Sequence, residues 1–420
     1  MTAEPDRHSH PWWKRARGYR RPKVSVTVDR PRRAMTQRVA KSPRTWSTGA
    51  VVNSQPILPD YSGANVRGIV PALLAPRGVA LPRWMPSFVG VADQVVVLVI
   101  DGLGWEQWQS RLHLTPTMAT MQASAITTVA PSTTATALTS IATGLTPGEH
   151  GLVGYRIELG GDIVNVLRWH TERGDVRRSH PPRDVQTFAP FLGESPPVIS
   201  RAELEGSAFT EAHLRGSRPT GWRVASSIAV EIGRQMAAGE RFVYAYYDGI
   251  DKIAHERGFG DFYDAELATV DALIARVLQA MPATAALVVT ADHGQVHVGN
   301  NIVRPTPALL AMVRAQSGEG RFRWLHARAG CQRDLLVAAQ NDHADQAWVV
   351  SREQTIDEGW FGPVVSAPVA ARLGDVALVA REPVTFFDPA DSGPFELVCR
   401  HGSLTSAEMY VPLLARLGAR

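Results

Sequence analysis

Cysteine is scarce in this chain, because Cys331 and Cys399 are the only two among 420 residues. Two cysteines cannot form the disulfide framework of a small secreted domain, and this usage is typical of a reducing compartment. Long apolar runs are also missing, and none approaches the roughly 20 residues that span a bilayer. Residues 1–50 contain no apolar stretch like that of a signal peptide. We therefore expect a soluble, cytoplasmic protein without a transmembrane segment.

Acidic residues are rare in the first part of the chain. Residues 1–44 contain 13 Lys or Arg and only 3 Asp or Glu, a net charge of +10, so the remainder carries −6. This segment has no hydrophobic period, and we predict that residues 1–50 form a basic, disordered extension. An extension without a partner is the simpler interpretation, and contact with nucleic acid or an anionic membrane is the alternative.

From residue 51 onward the sequence has the composition of a globular protein. Apolar residues make up 45% of the chain, which is enough for a large core. Strand-like and helix-like segments alternate, which predicts an α/β fold with a mostly parallel central sheet between helical layers. The stretches 152–222 and 296–392 break this alternation. We expect them to be cap-like insertions on one catalytic domain that covers residues 51–420.

Acidic or imidazole side chains follow four short apolar runs. Such β-branched runs predict strands that are buried on both faces, and open α/β sheets bind ligands at the carboxyl ends of their strands. The runs are 95–100 before Asp101, 242–246 before Asp251 and His255, 286–289 before Asp292 and His293, and 395–399 before His401. Four clusters at strand ends predict a two-metal hydrolytic site.

Local spacing supports metal binding by these residues. Asp101 precedes a Gly-Leu-Gly turn that leaves room for a cation. Asp251 and His255 are four residues apart, so a helix that begins at Asp251 places both on one face, where they can bind one metal. Asp248 is a competing ligand whose spacing to His255 fits less well.

Other histidines stand alone in the sequence, and a lone histidine is usually structural. We apply that interpretation to His150, His297, His326 and His343.

A threonine cluster opens a helix of small residues that ends near Gly144. Ser132 or Thr133 is suited to cap this helix. Thr134 then stands just inside the helix, where free N–H groups and the helix dipole favour a phosphate.

With these motifs together, the sequence resembles the type I phosphodiesterase/nucleotide pyrophosphatase branch of the alkaline phosphatase superfamily. The resemblance extends from about residue 90 to the C-terminus and is weaker in the two insertions. The matching segments are 99–104, 131–134, 143–151, 251–255, 291–294 and 401–409.

The resemblance implies an alkaline-phosphatase-like fold and two divalent cations, each bound by three residues. These are Asp251, His255 and His401 for one cation, and Asp101, Asp292 and His293 for the other. Thr134 would bridge the cations as the nucleophile, because its position matches the family's nucleophile and that of Thr133 does not. Zinc suits mixed imidazole and carboxylate ligands, and manganese is the alternative.

The implied activity is the hydrolysis of a nucleotide phosphodiester or pyrophosphate through a covalent threonine intermediate. The eukaryotic nucleotide pyrophosphatases carry an Asn three residues after the nucleophile, where this chain has Ala137. No arginine of the kind that clamps a phosphomonoester lies near Thr134, so diesters are favoured. Similarity to actinobacterial cyclic-di-AMP phosphodiesterases makes that dinucleotide a candidate substrate.

Several alternatives stay open at this point. A phosphomonoesterase of the same superfamily would use the same metals, and a catalytically inactive nucleotide-binding sensor would need none of these residues. Tyr155 and Trp169 in the first insertion are candidates for stacking on a base, although core packing is the commoner role. The sequence does not predict the oligomeric state.

Overall fold

The computed structural model describes residues 55–76, 78–391 and 397–419. The basic extension, residues 1–50, lies outside the described residues, so its predicted disorder and partners stay predictions. Within the described ranges, no helix is both long enough and apolar enough to cross a membrane.

The strands are numbered in chain order. They are β1 (Gln94–Ile100), β2 (Gln122–Thr127), β3 (Arg156–Leu159), β4 (Asp162–Asn165), β5 (His170–Thr171), β6 (Gly174–Asp175), β7 (Pro197–Arg201), β8 (Arg218–Trp222), β9 (Phe242–Tyr247), β10 (Ala285–Thr290), β11 (Val296–His297), β12 (Ile302–Val303), β13 (Val313–Glu319), β14 (Phe322–Ala327), β15 (Ala347–Ser351), β16 (Val376–Ala380), β17 (Thr385–Phe386), β18 (Cys399–Arg400) and β19 (Tyr410–Leu417).

The α-helices are numbered in the same way. They are α1 (Ile69–Leu74), α2 (Trp105–Gln109), α3 (Thr134–Thr143), α4 (Pro147–His150), α5 (Pro182–Val185), α6 (Ala208–Leu214), α7 (Ser226–Ala237), α8 (Gly249–Arg257), α9 (Asp261–Ala280), α10 (Pro307–Ala311), α11 (Gln332–His343), α12 (Arg352–Asp357), α13 (Ala367–Ala370) and α14 (Ser406–Met409).

A seven-stranded sheet organises the fold, in the order β2-β19-β10-β1-β9-β7-β8. β1 lies between β10 and β9 and is parallel to both. Only β19 runs against its neighbours β10 and β2, so the sheet is mostly parallel, and the predicted fold class is confirmed. Residues 96–100 of β1 and 285–289 of β10 are fully buried. Successive strand side chains point to opposite faces, so both faces of the sheet are covered at its centre.

The stretch 152–222 is only in part an insertion. β3 to β6 form a separate four-stranded antiparallel sheet, but β7 and β8 belong to the central sheet. The prediction therefore needs a correction, because the insertion does not extend through residues 197–222. The edge strand β8 has the sequence Arg-Pro-Thr-Gly-Trp and is largely solvent-accessible, so it lacks the apolar run that marks the inner strands.

The stretch 296–392 contains a four-stranded antiparallel sheet in the order β13-β14-β16-β15. It has a second apolar cluster that includes Leu325, Leu335 and Leu378, all buried. This small sheet therefore has its own hydrophobic core, separate from that of the central sheet.

Candidate active site

Three neighbouring strands bring the predicted acidic residues together. Asp101 follows β1 directly, Asp292 and His293 follow β10, and Asp251 lies in α8 directly after β9. Because β1, β9 and β10 are parallel neighbours, their carboxyl ends meet at one edge of the sheet. A backbone hydrogen bond of 3.1 Å from Asp251 N to Asp101 O joins two of these segments.

Asp101, Asp292 and His293 form one compact buried group. His293 Nε2 lies 3.5 Å from Asp101 Oδ1 and 3.4 Å from Asp292 Oδ2. The other oxygens have donors, since the Tyr246 hydroxyl donates to Asp101 Oδ2 and Gly102 N donates to Asp292 Oδ1 at 3.0 Å.

Asp101 Oδ1 and Asp292 Oδ2 are buried and have no hydrogen-bond partner in the described part of the chain. Buried carboxylate oxygens without donors are costly, and a cation is the partner that this arrangement fits.

Asp251, His255 and His401 form the second group. Asp251 Oδ1 lies 3.2 Å from His255 Nε2, as expected for two residues four apart in α8, and 3.9 Å from His401 Nε2. The side chain of Gln295 also donates to Asp251 Oδ1 at 2.7 Å. The imidazole rings of His293 and His401 stack at 3.7 Å between centroids, so the two groups are contiguous.

His401 reaches this site by a route that the sequence did not predict. The run 395–399 was expected to be a buried strand of the main sheet, but residues 395 and 396 lie outside the described residues, and β18 pairs only with β11 in a small separate sheet. The prediction that this run belongs to the main sheet is therefore wrong for its described residues, 397–399. A bridge between Ser132 and Gly402 instead holds His401 beside the start of α3.

All three histidines present the same nitrogen to the site. The Nδ1 atoms of His255, His293 and His401 lie 2.7, 3.1 and 3.1 Å from the carbonyl oxygens of Cys399, Gly294 and Ser132. A carbonyl oxygen only accepts, so each Nδ1 carries a proton and each ring turns its Nε2 atom towards the site. Such hydrogen bonds orient metal-binding imidazoles.

The electrostatics of the site also favour cations. Burial, together with the negative charges of Asp292 and Asp251, raises the pKa of Asp101 well above its usual range. Burial likewise raises the pKa of Asp292. Burial opposes ionisation of Asp251 as well, but the neighbouring His255 and His401 hold its pKa below the usual range. Two groups of three residues bring their possible ligand atoms within 4.8 Å of one another, Asp101 with Asp292 and His293, and Asp251 with His293 and His401. His255 lies beside the second group, through its contact with Asp251. Carboxylates and imidazoles of this kind fit two divalent cations such as zinc or manganese.

Thr134 lies in this cluster, and Thr133 is the residue before the helix. Thr134 is the first residue of α3, and its Oγ1 lies 3.1 Å from His293 Nε2. Thr133 has extended backbone angles, as a helix-capping residue does. The helix ends at Gly144, whose φ of 75° is left-handed. Ala137 is fully buried in α3 and offers no polar side chain.

Asp248 forms ion pairs with basic residues, and the histidines of the site pair with other carboxylates. Its carboxylate lies 2.5 Å from Lys252 Nζ and 3.5 Å from a guanidinium nitrogen of Arg201. The structure therefore places Asp251, and not Asp248, against His255.

Glu319 from β13 lies behind His401. Its Oε2 atom is 3.7 Å from His401 Nδ1, and burial raises the pKa of Glu319 to about 8. Gly402 has a φ of 120°, and a Cβ atom there would lie 2.6 Å from Glu319 Cδ. Glycine is thus required where the insertion packs against the site.

A cavity of about 210 Å³ opens beside Thr134. Its walls combine apolar and polar side chains, mostly from β7, α3, α6, β9 and α8. They are Asp101, Thr134, Leu138, Leu167, Ser200, Leu204, Ser207, Phe209, Thr210, His213, Leu214, Tyr244, Tyr246, Asp248, Asp251 and Lys252.

The two candidates for base stacking, Tyr155 and Trp169, do not line this cavity. Trp169 is fully buried, and its indole N–H donates to His180 O at 2.7 Å. Trp169 is therefore a core residue.

The sequence interpretation missed several residues of the site. Tyr246 was taken only as part of a strand, although its alternation with Tyr244 along β9 places both on one face. Gln295 lies two residues after His293, and this closeness to the Asp292-His293 motif could have identified it as a residue of the site. Nothing in the sequence marks α6, because its residues reach the cavity only through packing.

His150 is buried away from these groups and has a structural role. Its Nδ1 accepts from Leu152 N at 3.1 Å, so the protonated Nε2 donates to Ser140 Oγ at 2.8 Å. Burial lowers the pKa of His150 to about 3 from its ordinary value of 6.5. Between those values the unfolded chain binds a proton that the folded chain excludes, so stability falls as the pH falls.

This predicts a pH-dependent effect of His150→Gln. The free energy of unfolding of the wild type should fall from pH 7 to pH 5 by up to about 1.4 kcal/mol per pH unit below 6.5 because of His150. The variant lacks this contribution, so its deficit relative to the wild type should shrink at pH 5. Urea unfolding of both proteins at the two pH values measures this. An equal deficit at both would contradict the assignment.

Comparison with known proteins identifies the family of the chain. The sequence matches the family Type I phosphodiesterase / nucleotide pyrophosphatase over residues 95–404. No curated protein matches the chain.

Two groups of solved structures share the fold. Murine ectonucleotide pyrophosphatase/phosphodiesterase 5 has a TM-score of 0.58 at 14% identity, over 77% of this chain and 88% of its own. An inactive variant of that protein has been solved in complex with AMP. Phosphonoacetate hydrolase from Sinorhizobium meliloti 1021, in complex with phosphonoacetate, has a TM-score of 0.58 at 15% identity, over 77% and 90%.

The fold and the family define a hydrolase that acts on phosphoric ester bonds. The chain belongs to the type I phosphodiesterase/nucleotide pyrophosphatase family, whose members generally use two metal ions.

Proposed function

We propose that this protein hydrolyses nucleotide phosphodiesters or pyrophosphates with two divalent cations and with Thr134 as a covalent nucleophile. One observation carries the proposal. Thr134 Oγ1 lies 3.1 Å from His293 Nε2, in a buried cluster where two carboxylate oxygens have no hydrogen-bond partner.

The proposed ligands are those that the resemblance implied. Asp101, Asp292 and His293 would hold one cation, and Asp251, His255 and His401 would hold the other. When bound, the cations would supply Lewis-acid stabilisation of the phosphoryl oxygens and lower the pKa of the Thr134 hydroxyl.

The chain's own residues perform the remaining work. Thr134 Oγ1 attacks phosphorus, the bond to the leaving oxygen breaks, the hydroxyl proton ends on that leaving oxygen, and a nucleotidyl-threonine forms. Water then attacks the same phosphorus and releases Thr134 together with a nucleoside monophosphate. The first backbone N–H groups of α3 have no partners within the helix and are placed to donate to the phosphoryl oxygens.

Diesters are favoured over monoesters, because none of the arginines that the structure describes lines the cavity beside Thr134. The AMP complex of the murine relative supports a nucleotide substrate. Cyclic-di-AMP is the dinucleotide to test first, and the two free cysteines support a cytoplasmic location.

The test is to strip the protein of metal, restore zinc or manganese, and offer four probes. These are cyclic-di-AMP, the p-nitrophenyl ester of AMP, bis(p-nitrophenyl) phosphate and p-nitrophenyl phosphate. We expect metal-dependent hydrolysis of diesters with little turnover of the monoester. Turnover of the monoester alone would favour a phosphomonoesterase, and no turnover with either metal would favour the inactive sensor.

A further inference from the structure

The cavity beside Thr134 is small and mostly apolar. Its volume of about 210 Å³ is below the roughly 300–1,000 Å³ that enclose a drug-sized ligand, so it suits one ring system and not a whole dinucleotide. Three carboxylates, of Asp101, Asp248 and Asp251, line it beside the basic residue Lys252, whose Nζ lies 2.5 Å from the Asp248 carboxylate, so the excess of negative charge disfavours a second phosphate group there. A neutral, planar group is the better occupant.

His213 provides a hydrogen-bond acceptor in the wall of this cavity. Its Nδ1 lies 2.6 Å from the carbonyl oxygen of Phe209 and therefore carries the ring proton. Burial lowers the pKa of His213 to about 4, so the ring is neutral at pH 7. The Nε2 lone pair makes no hydrogen bond within the described ranges and is available to an N–H group. The ring is held in place by stacking on Phe209, with centroids 4.0 Å apart.

Tyr244 provides a hydrogen-bond donor in the same wall. Its side chain is 1% exposed, and its hydroxyl has no hydrogen-bond partner among the described residues. The ring packs edge-on against Phe191, with centroids 5.5 Å apart. A buried hydroxyl without a partner costs free energy, so a ligand that supplies an acceptor is favoured.

We infer that His213 and Tyr244 determine base specificity by binding the polar edge of a nucleobase that carries an amino group beside a ring nitrogen, as adenine does. The amino group donates to His213 Nε2, and the ring nitrogen accepts from the Tyr244 hydroxyl. Leu138, Leu204 and Phe209 supply apolar walls for the faces of the ring. This inference rests on the proposed function, because it places the base of the substrate beside Thr134.

The experiment compares three p-nitrophenyl esters that present different groups to the cavity. They are the ester of AMP, the ester of purine riboside 5′-monophosphate, which lacks the amino group, and bis(p-nitrophenyl) phosphate, which has no base. The wild type should show a kcat/KM for the AMP ester at least about tenfold above that for the deamino ester, because the deamino base leaves His213 unpaired.

Two variants test the two side chains separately. His213→Phe keeps an aromatic ring but removes the acceptor, so the ratio between the two nucleotide esters should fall close to one. Tyr244→Phe removes only a hydroxyl that has no partner, so the variant should fold normally and lose severalfold in kcat/KM for the AMP ester. For each variant the AMP ester is compared with bis(p-nitrophenyl) phosphate, and the ratio of the two kcat/KM values should fall below that of the wild type.

His343→Phe is the matched control. His343 is also buried, its nitrogens have no hydrogen-bond partner among the described residues, and it packs edge-on against Phe386 outside the cavity. This variant should keep the wild-type ratio. Equal rates for the two nucleotide esters in the wild type, or a ratio that survives in His213→Phe, would overturn the inference while leaving the phosphodiesterase intact. Failure to hydrolyse even bis(p-nitrophenyl) phosphate would overturn the proposed function itself.

Discussion

Thr134→Ala should abolish diester hydrolysis while leaving the metal site occupied. Removal of a covalent nucleophile costs about 10⁴-fold or more in kcat, because the remaining groups can only assist direct attack by water. The six other proposed ligands contact one another without Thr134, through the pairs at 3.2 to 3.9 Å around Asp251 and His293. Turnover of the AMP ester and metal content by mass spectrometry measure the two effects.

Thr133→Ala is the matched control for this experiment. Thr133 precedes α3 and makes no capping hydrogen bond with its side chain, so its loss should cost little helix stability. We expect activity within about tenfold of the wild type. If Thr133→Ala were inactive and Thr134→Ala active, the assignment of the nucleophile would be wrong.

Asp292→Asn should remove one of two bound cations and most of the activity. Asp292 Oδ2 is buried without a hydrogen-bond partner, and asparagine has nearly the same shape but no negative charge to hold a cation there. We expect the metal content to fall from two ions to one and kcat/KM to fall about 10³-fold, which corresponds to several kcal/mol of lost stabilisation. Isothermal titration of the metal-free protein with zinc or manganese measures the stoichiometry.

Asp271→Asn is a matched control, because Asp271 is also buried but lies outside the site. Its carboxylate accepts from Thr117 N at 3.1 Å and from Met118 N at 2.8 Å, and within the described ranges it forms no hydrogen bond or ion pair with a proposed metal ligand. This variant should lose stability and keep both metal ions. Loss of a metal ion in both variants would indicate general unfolding and not the loss of a ligand.

The inner strands could be predicted from the sequence because burial on both faces selects continuous apolar runs. Residues 95–100, 242–246 and 286–289 all lie in strands, and each is followed by a predicted ligand. In a parallel sheet the carboxyl ends share one edge, so strand adjacency was enough to bring Asp101, Asp251 and Asp292 together.

The parts that depend on long-range packing could not be predicted. His401 is positioned because the next residue, Gly402, forms a β-bridge with Ser132, and because its own Nδ1 bonds to Ser132 O. Ser132 lies more than 260 residues away along the chain, and no local pattern encodes that contact. The edge strand β8 has too few apolar residues to stand out. The cavity residues Phe209 and His213 lie on α6, which packs against α3 only in the folded chain.

The stereochemical course at phosphorus tests the central claim most directly. A single-configuration phosphorothioate analogue of the p-nitrophenyl ester of AMP is hydrolysed in ¹⁸O-labelled water, and the configuration of the thiophosphate product is determined. Attack by Thr134 followed by attack of water comprises two in-line displacements, so we predict net retention. Net inversion would show a single displacement by water and would contradict a covalent role for Thr134.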